Sequence, residues 1–240
     1  MSTQSWSGGW RGASPASISH TRARDVVHST GTIVRGKFPS RKTGRLVQHE
    51  GLLELDAIYL FEAAPQVAHY TEQPEKFIYP DGTKTRRYTP DFLLTLISGA
   101  QWAVEVKPLV YAQQPETAHK LRRIAEHMTR LDRQFIVMTD EFIGVEPRLS
   151  NLKWIYHRAP RRAAADLSAR VGLARYAHQF PMSIAEAIGL LRPLNLDPFA
   201  LLLSGHLTCD LNTPLAEESF VSISPEKNHD DICIASWNNF

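Results

Sequence analysis

The sequence predicts an α/β domain built on a mixed sheet that is flanked by helices. Apolar residues recur at helical spacing in two segments, residues 49–63 and the segment that follows Pro115. Between these segments lie short apolar or alternating stretches that are separated by glycine-containing turns. An apolar run at residues 135–138 follows the second helix, as expected for a strand that is reached through a helical crossover.

Two hairpin turns are predicted between the helices. Pro80-Asp81-Gly82 forms the first, and Ser98-Gly99 forms the second because glycine accepts a positive φ. Strands are predicted at residues 76–79, 83–88, 93–97, 101–107 and 152–156. The first three of these strands are predicted to form an antiparallel meander that leads into Glu105-Val106-Lys107. Pro108 then interrupts the ladder.

The strand at residues 101–107 carries the strongest functional signal. Its alternation places Glu105 and Lys107 on one face and apolar residues on the other. The hairpin at Ser98-Gly99 brings Asp91 to the same end of the sheet. Two carboxylates and an ammonium suit phosphodiester hydrolysis with Mg²⁺, which takes oxygen ligands and lowers the pKa of bound water. The alternative is a surface hairpin whose polar face carries these residues by chance.

Composition fits a globular protein of 240 residues, with 43% hydrophobic and 22% charged residues. No apolar run approaches the roughly 20 residues of a membrane span, and no secretory signal is evident at the N-terminus. Cys209 and Cys233 do not have metal-ligand spacing. We therefore expect a protein of the reducing cytoplasm.

Charge is unevenly spread along the chain. Residues 1–48 contain eight Lys and Arg against one Asp, whereas residues 171–240 contain three basic residues against eight acidic ones. The front of the chain is therefore expected to meet polyanions. The predicted DNA-contacting residues are Arg35, Lys37, Arg41, Lys42, Arg45 and Lys120. A solvated charged surface is the alternative for this set.

The chain is predicted to contain four sections. A poorly ordered basic arm occupies residues 1–30, the α/β domain residues 31–160 and a polar tail residues 225–240. Residues 161–224 between them contain three predicted helices and a strand pair, which suggests a winged-helix-like module. Because this end is acidic, a protein contact is favoured and DNA binding is the alternative.

Five segments carry a family resemblance: Leu52-Leu53-Glu54, Pro65-Gln66-Val67, Tyr70-Thr71-Glu72-Gln73-Pro74, Tyr88-Thr89-Pro90-Asp91-Phe92 and Val104-Glu105-Val106-Lys107-Pro108. In this order they resemble TnsA, the endonuclease subunit of bacterial heteromeric TnsA–TnsB transposases, over about residues 32–140. The resemblance implies a restriction-endonuclease-like fold of the PD-(D/E)xK type.

The resemblance also implies a site. Glu54, Asp91, Glu105 and Lys107 match the catalytic residues of the family by position, although some members have Gln in place of Glu105. The implied cofactor is Mg²⁺, with Mn²⁺ as a substitute, and its implied ligands are Asp91, Glu105, the Val106 carbonyl and Glu54. Lys107 is expected to position the attacking water.

The implied partners are transposon-end DNA, a TnsB-like transposase and a TnsC-like AAA+ regulator. The implied location is the cytoplasm of a bacterium, in association with the nucleoid. Family members cut the 5′ strands of the transposon, while TnsB cuts and joins the 3′ strands. Two alternatives remain at this stage: a stand-alone PD-(D/E)xK restriction or repair nuclease, and a non-catalytic assembly module of a transposition complex. No base-reading motif has convincing context, so end recognition is expected to rest with the partner.

Overall fold

A computed structural model describes residues 34–161 and 166–224. The predicted arm at residues 1–30 and the tail at residues 225–240 lie outside the described residues. The strands are β1 (Gly36–Pro39), β2 (Leu46–His49), β3 (Val67–Glu72), β4 (Phe77–Asp81), β5 (Lys84–Tyr88), β6 (Phe92–Leu96), β7 (Gln101–Val106), β8 (Gln134–Met138), β9 (Met182–Ser183), β10 (Leu207–Cys209) and β11 (Phe220–Ile223). The α-helices are α1 (Leu52–Ala63), α2 (Leu109–Ala112), α3 (Pro115–Arg130), α4 (Asp140–Ile143), α5 (Arg148–Arg158), α6 (Asp166–Tyr176), α7 (Ile184–Leu191) and α8 (Pro198–Leu203), with 3-10 turns at Ala177–Gln179 and Arg192–Leu194.

The central sheet has four strands in the order β3-β6-β7-β8. The β3–β6 and β6–β7 pairs are antiparallel, whereas β7 and β8 are parallel. A parallel pair needs a crossover connection, and α3 lies in the chain between these two strands. The predicted mixed sheet with flanking helices and a crossover helix is confirmed.

The two faces of β7 meet different layers. Val104 and Val106 belong to the main hydrophobic core, which includes residues of α1 and α5. Ala103 belongs to a smaller cluster formed with the β4–β5 hairpin and α3. Because side chains alternate along a strand, Glu105 lies on the same face as Ala103, beneath the hairpin. This alternation agrees with the one predicted from the sequence.

The predicted three-strand meander is wrong. β4 and β5 form their own two-stranded sheet, and the strand beside β6 is β3, which the sequence analysis did not identify. Four of the five residues of β5 are exposed, so this strand has little apolar surface to bury in a central sheet. Pro90 lies between β5 and β6 and has no backbone N–H for a ladder.

The predicted strand at residues 152–156 is also wrong, because these residues lie within α5. Its aromatic and β-branched residues favour a strand locally. The buried residues of α5 include Leu149, Leu152, Ile155 and Tyr156, whose spacing of three and four residues is that of a helix face. Packing of this face against α1 and α8 overrides the local preference.

The section after α5 contains one helix, a short strand, two helices and a hairpin, with a three-stranded sheet in the order β10-β11-β9. The predicted capping box at Ser183 and Glu186 is present, and Asp197 caps α8. The assignment of this section as a winged helix stays a prediction.

The main core cluster contains residues of both this section and the sheet domain. The Asn151 side chain donates a hydrogen bond to the Leu211 carbonyl and accepts one from the Leu215 N–H. In the described part of the chain, no helix has the length and apolar character required to cross a membrane.

Candidate active site

Three of the predicted site residues meet at one end of the sheet. Asp91 immediately precedes β6, and its Oδ2 accepts a hydrogen bond of 2.7 Å from the backbone N–H of Val106. Glu105 lies in β7, and its Oε1 is 3.2 Å from Lys107 Nζ. The antiparallel register that pairs Phe92 with Val104 places these residues side by side. Asp91, Glu105 and Lys107 therefore form one cluster, as the hairpin argument predicts.

Glu54 approaches the same cluster from the other layer. It lies in the first turn of α1, and its Oε2 accepts a hydrogen bond of 2.7 Å from the backbone N–H of Glu50. The negative charge of Glu54 contributes to raising the pKa of Asp91. The helix begins at Leu52, later than the predicted residue 49, so Glu50 belongs to the loop that precedes it.

Glu105 is held by a residue that the sequence analysis did not assign. The Tyr88 hydroxyl donates a hydrogen bond of 2.7 Å to Glu105 Oε2, and both residues are about 5% exposed. Burial and then the negative charge of Glu105 raise the pKa of Tyr88 well above its usual value, so the phenol remains a donor. With Lys107 on the other oxygen, both carboxylate oxygens of Glu105 have fixed positions.

The cluster carries excess negative charge. Burial of the carboxyl group, followed by the charges of Glu105 and Glu54, raises the pKa of Asp91 well above its ordinary value. The Val106 N–H and the Lys107 ammonium act in the opposite direction but are outweighed. An additional cation beside Asp91 and Glu105 would relieve this repulsion.

Asp91 and Glu105 fit a hard divalent cation by their chemistry. Mg²⁺ is usually held by one or two carboxylates while water and phosphate fill its other positions. No group of three or more His, Cys, Asp and Glu side chains among residues 34–161 and 166–224 is arranged to hold a metal ion. The Val106 N–H binds Asp91, and the proposed role of the Val106 carbonyl stays a prediction.

A cavity of about 370 Å³ opens onto the two carboxylates. Its lining residues are Glu50, Gln73, Lys76, Arg87, Tyr88, Thr89, Asp91, Glu105 and Lys120. Lys120, a predicted DNA contact, lies at this cavity, and its ammonium stacks over the Tyr88 ring at 5.3 Å. The sequence analysis missed Glu50, Gln73, Lys76, Arg87 and Tyr88, although the segments it quoted for the family resemblance contain Gln73 and Tyr88.

Three other predicted DNA contacts bind the protein itself. The Arg41 guanidinium donates to the carbonyls of Tyr156 and Ala159 at the end of α5, and Lys42 donates to two carbonyls that follow α1. Arg45 forms a two-pronged ion pair with the buried Glu72 carboxylate. These contacts give the three residues structural roles that neither phosphate binding nor a solvated turn describes. Arg35 and Lys37 are exposed, and they do not line the cavity.

Comparison with known families supports a nuclease site. Residues 64–140 match the family described as "TnsA-like endonuclease N terminal". The matched segment contains Asp91, Glu105 and Lys107, whereas Glu54 lies before it. No curated protein matches the chain.

Proposed function

From the premise that this chain carries a TnsA-like endonuclease domain and is assigned to that family, we propose that it is a metal-dependent DNA endonuclease of the Tn7 transposase type. The observation that carries this proposal is the convergence of Asp91, Glu105 and Lys107 at one end of the sheet. Lys107 forms an ion pair with Glu105, and Asp91 accepts a hydrogen bond from Val106, which follows Glu105 in β7. Asp91 and Glu105 also line one cavity. Two carboxylates and a lysine so placed have the chemistry required for phosphodiester hydrolysis.

The carboxylates are pre-oriented by the protein. The Val106 N–H fixes one oxygen of Asp91, and the Tyr88 hydroxyl fixes one oxygen of Glu105. A Mg²⁺ ion held by these two carboxylates would polarise the scissile phosphate and supply a water with a lowered pKa. Because Tyr88 and Val106 are themselves held in buried structure, the two carboxylates keep their positions when the cation is absent.

Lys107 and Glu54 act beside the carboxylates in this proposal. The Lys107 ammonium neutralises part of the Glu105 charge, and we assign to it a contact with the reacting phosphate. It orients the attacking water and stabilises negative charge that develops on the phosphate oxygens. Glu54, whose charge acts on Asp91, supports the cation or a water from the α1 side.

Basic residues around the cavity support DNA as the substrate. Lys76, Arg87 and Lys120 line it, and none of the three makes an ion pair within the described residues. Lys76 precedes β4, Arg87 lies in β5 and Lys120 lies in α3, so the hairpin and α3 both supply cations to the cavity that contains the carboxylates. We assign to these cations the DNA phosphates on either side of the scissile bond, a contact that positions the backbone without reading sequence.

The family resemblance supports separate strand-cutting roles for this protein and its transposase partner. We propose that the protein cuts the 5′, non-transferred strands at transposon ends, in the bacterial cytoplasm, and that a TnsB-like transposase cuts and joins the 3′ strands. The section after α5, with its helix-strand-helix-helix-hairpin order, supports a winged-helix-like module. Residues 171–240 contain three basic residues against eight acidic ones, and this net negative charge supports a contact with a TnsC-like AAA+ regulator in preference to DNA.

Strand mapping tests this function against its alternatives. The full-length protein is mixed with a TnsB-like transposase, DNA that bears transposon ends and Mg²⁺, and each broken strand is mapped at nucleotide resolution. The proposal expects 5′-strand cleavage only in the mixture. Cleavage by this protein alone would instead indicate a stand-alone nuclease. Unchanged 5′ cleavage after the loss of both Asp91 and Lys107 would indicate an assembly module.

A further inference from the structure

The β4–β5 hairpin is a two-stranded ribbon with one buried face and one exposed face. On the buried face, Phe77, Tyr79 and Tyr88 pack into the small cluster that also contains residues of α3 and β7. Near the turn of the hairpin, the Arg123 side chain of α3 donates a hydrogen bond of 3.2 Å to the Pro80 carbonyl. The ribbon is therefore anchored both at its base and near its turn, and its outer face is a firm surface.

The outer face combines basic and apolar side chains. Its exposed residues are Lys76, Ile78 and Pro80 on one strand side and, across from the last two, Arg87 and Thr85. None of the five is acidic, and Ile78 is 59% exposed between the two cations. This combination fits a polyanion that also offers apolar surface. A nucleic-acid duplex has both properties, in its phosphates and in its stacked bases.

Ile78 lies one side chain away from the candidate active site. The hairpin register pairs it with Arg87, which lines the cavity, and directly opposed residues have Cβ atoms about 4.5–5.5 Å apart. Lys76, two residues before Ile78, lines the cavity as well. A DNA strand whose phosphate enters the cavity between these two cations therefore passes Ile78.

The burial of Glu105 requires the DNA strand to leave its regular path. Glu105 is 5% exposed, and the Tyr88 hydroxyl of the hairpin covers one of its oxygens. In an undistorted duplex each phosphate lies on the outside of a continuous base stack, so a phosphate approaches Glu105 only when its strand is drawn away from the stack. Proteins that hold a base step open fill the gap with an apolar side chain such as Ile, Leu or Met.

We propose that Ile78 is a wedge that enters the base step beside the scissile phosphate and holds that step open. This proposal rests on the proposed nuclease function and deepens it, because it assigns a residue that positions the substrate. Lys76 and Arg87 hold the flanking phosphates, while Ile78 replaces the stacking that the open step has lost. Ile78 contacts the bases and takes no part in the chemical step.

Mismatched DNA tests the wedge. The full-length protein is mixed with the transposase partner, Mg²⁺ and transposon-end DNA that is either fully paired or mismatched at the step beside the scissile bond. Ile78→Thr and Ile78→Ala both truncate the exposed side chain. We expect each to cut the 5′ strand of the paired end about 10–100-fold more slowly than the wild type. The mismatched end should be cut at close to the wild-type rate, because its step is already open.

Two further variants separate the wedge from a general effect of substitution. Ile78→Leu keeps an apolar side chain that fills the gap, so it should cut both DNAs at the wild-type rate. Ile97→Thr is the matched control, since Ile97 is 51% exposed, follows β6 and does not line the cavity. Its cleavage rate should equal that of the wild type on both DNAs.

Fluorescence of 2-aminopurine, placed at the same step, reports the open step directly. Asp91→Asn keeps the DNA uncut in this measurement. We expect the fluorescence to rise when Asp91→Asn binds the paired end with the transposase partner, and to rise much less when Ile78→Thr is added to it. An equal rise in both proteins would overturn the wedge.

The outcomes distinguish this proposal from the proposed function. Wild-type cleavage of the paired end by Ile78→Thr and Ile78→Ala would overturn the wedge. A loss that the mismatch does not restore would also overturn it and would indicate that Ile78 contacts the transposase instead. Both results leave the nuclease proposal standing as long as Asp91→Asn stops 5′-strand cleavage. Cleavage that persists in Asp91→Asn would overturn the nuclease proposal itself.

Discussion

Replacement of Tyr88 by phenylalanine tests how the protein prepares Glu105 for a cation. The substitution keeps the buried ring and removes only the hydroxyl that donates to Glu105 Oε2 at 2.7 Å. A hydrogen bond to a charged group contributes about 1.5–3 kcal/mol. Loss of an outer-shell partner of a metal ligand lowers affinity or activity about 10–100-fold, which equals about 1.4–2.8 kcal/mol. The two free-energy ranges agree, so we expect Mn²⁺ to bind about 10–100-fold more weakly to the Asp91–Glu105 site of Tyr88→Phe than to that of the wild type.

The assay is calorimetric titration of the full-length protein with Mn²⁺, followed by the Mg²⁺ dependence of 5′-strand cleavage in the presence of the transposase partner. Tyr79→Phe is the matched control. Tyr79 has a buried ring on the same hairpin, and its hydroxyl makes no hydrogen bond within the described residues. If Tyr88→Phe and Tyr79→Phe bind Mn²⁺ with the same affinity as the wild type, then Glu105 does not depend on Tyr88 and the reasoning is refuted.

Four further predictions concern other contacts. Arg45→Met leaves the buried Glu72 carboxylate without its guanidinium and should lower the free energy of unfolding in urea by about 3 kcal/mol; an unchanged midpoint would contradict this. Burial alone would raise the pKa of Glu72, but the Arg45 guanidinium lowers that pKa below its ordinary value. The pair therefore stabilises the fold above the ordinary pKa of a Glu side chain, and the difference in the free energy of unfolding between wild type and Glu72→Gln should shrink as the pH falls through the lowered pKa. Arg41→Ala should destabilise the fold with no change in the salt dependence of DNA binding, whereas Arg87→Ala should reduce the salt slope by about 1 with no change in stability; the reverse pattern would restore the predicted role of Arg41. Lys107→Met should slow cleavage about 100–10,000-fold with DNA binding retained, and a rate within a few-fold of wild type would exclude a role in the chemical step.

The cluster of Asp91, Glu105 and Lys107 could be predicted because it depends on local geometry. A two-residue period fixes the face on which Glu105 and Lys107 lie, since a one-residue slip would move Val104 and Val106 out of the main core and place Glu105 in it. The hairpin at Ser98-Gly99 has Gly99 at φ of +86°, as the turn requires, and it returns β7 beside β6.

The supporting residues could not be predicted because they depend on contacts between distant segments. Tyr88 reaches Glu105 only because the β4–β5 hairpin folds over the sheet, and the polar sequence of β5 gives no sign of this. Arg41 binds carbonyls more than a hundred residues away, so a basic sequence pattern cannot distinguish it from a DNA contact. At residues 152–156, local strand preference and helical burial spacing conflict, and tertiary packing decides the outcome.

The central claim is that Asp91 belongs to the centre that cleaves DNA. Its most direct test compares wild type with Asp91→Ala in a strand-mapping reaction that contains the transposase partner, transposon-end DNA and Mg²⁺, with circular dichroism to verify the fold. We expect Asp91→Ala to abolish 5′-strand cleavage while the partner still cuts the 3′ strands. Undiminished 5′-strand cleavage by a folded Asp91→Ala protein would contradict the claim.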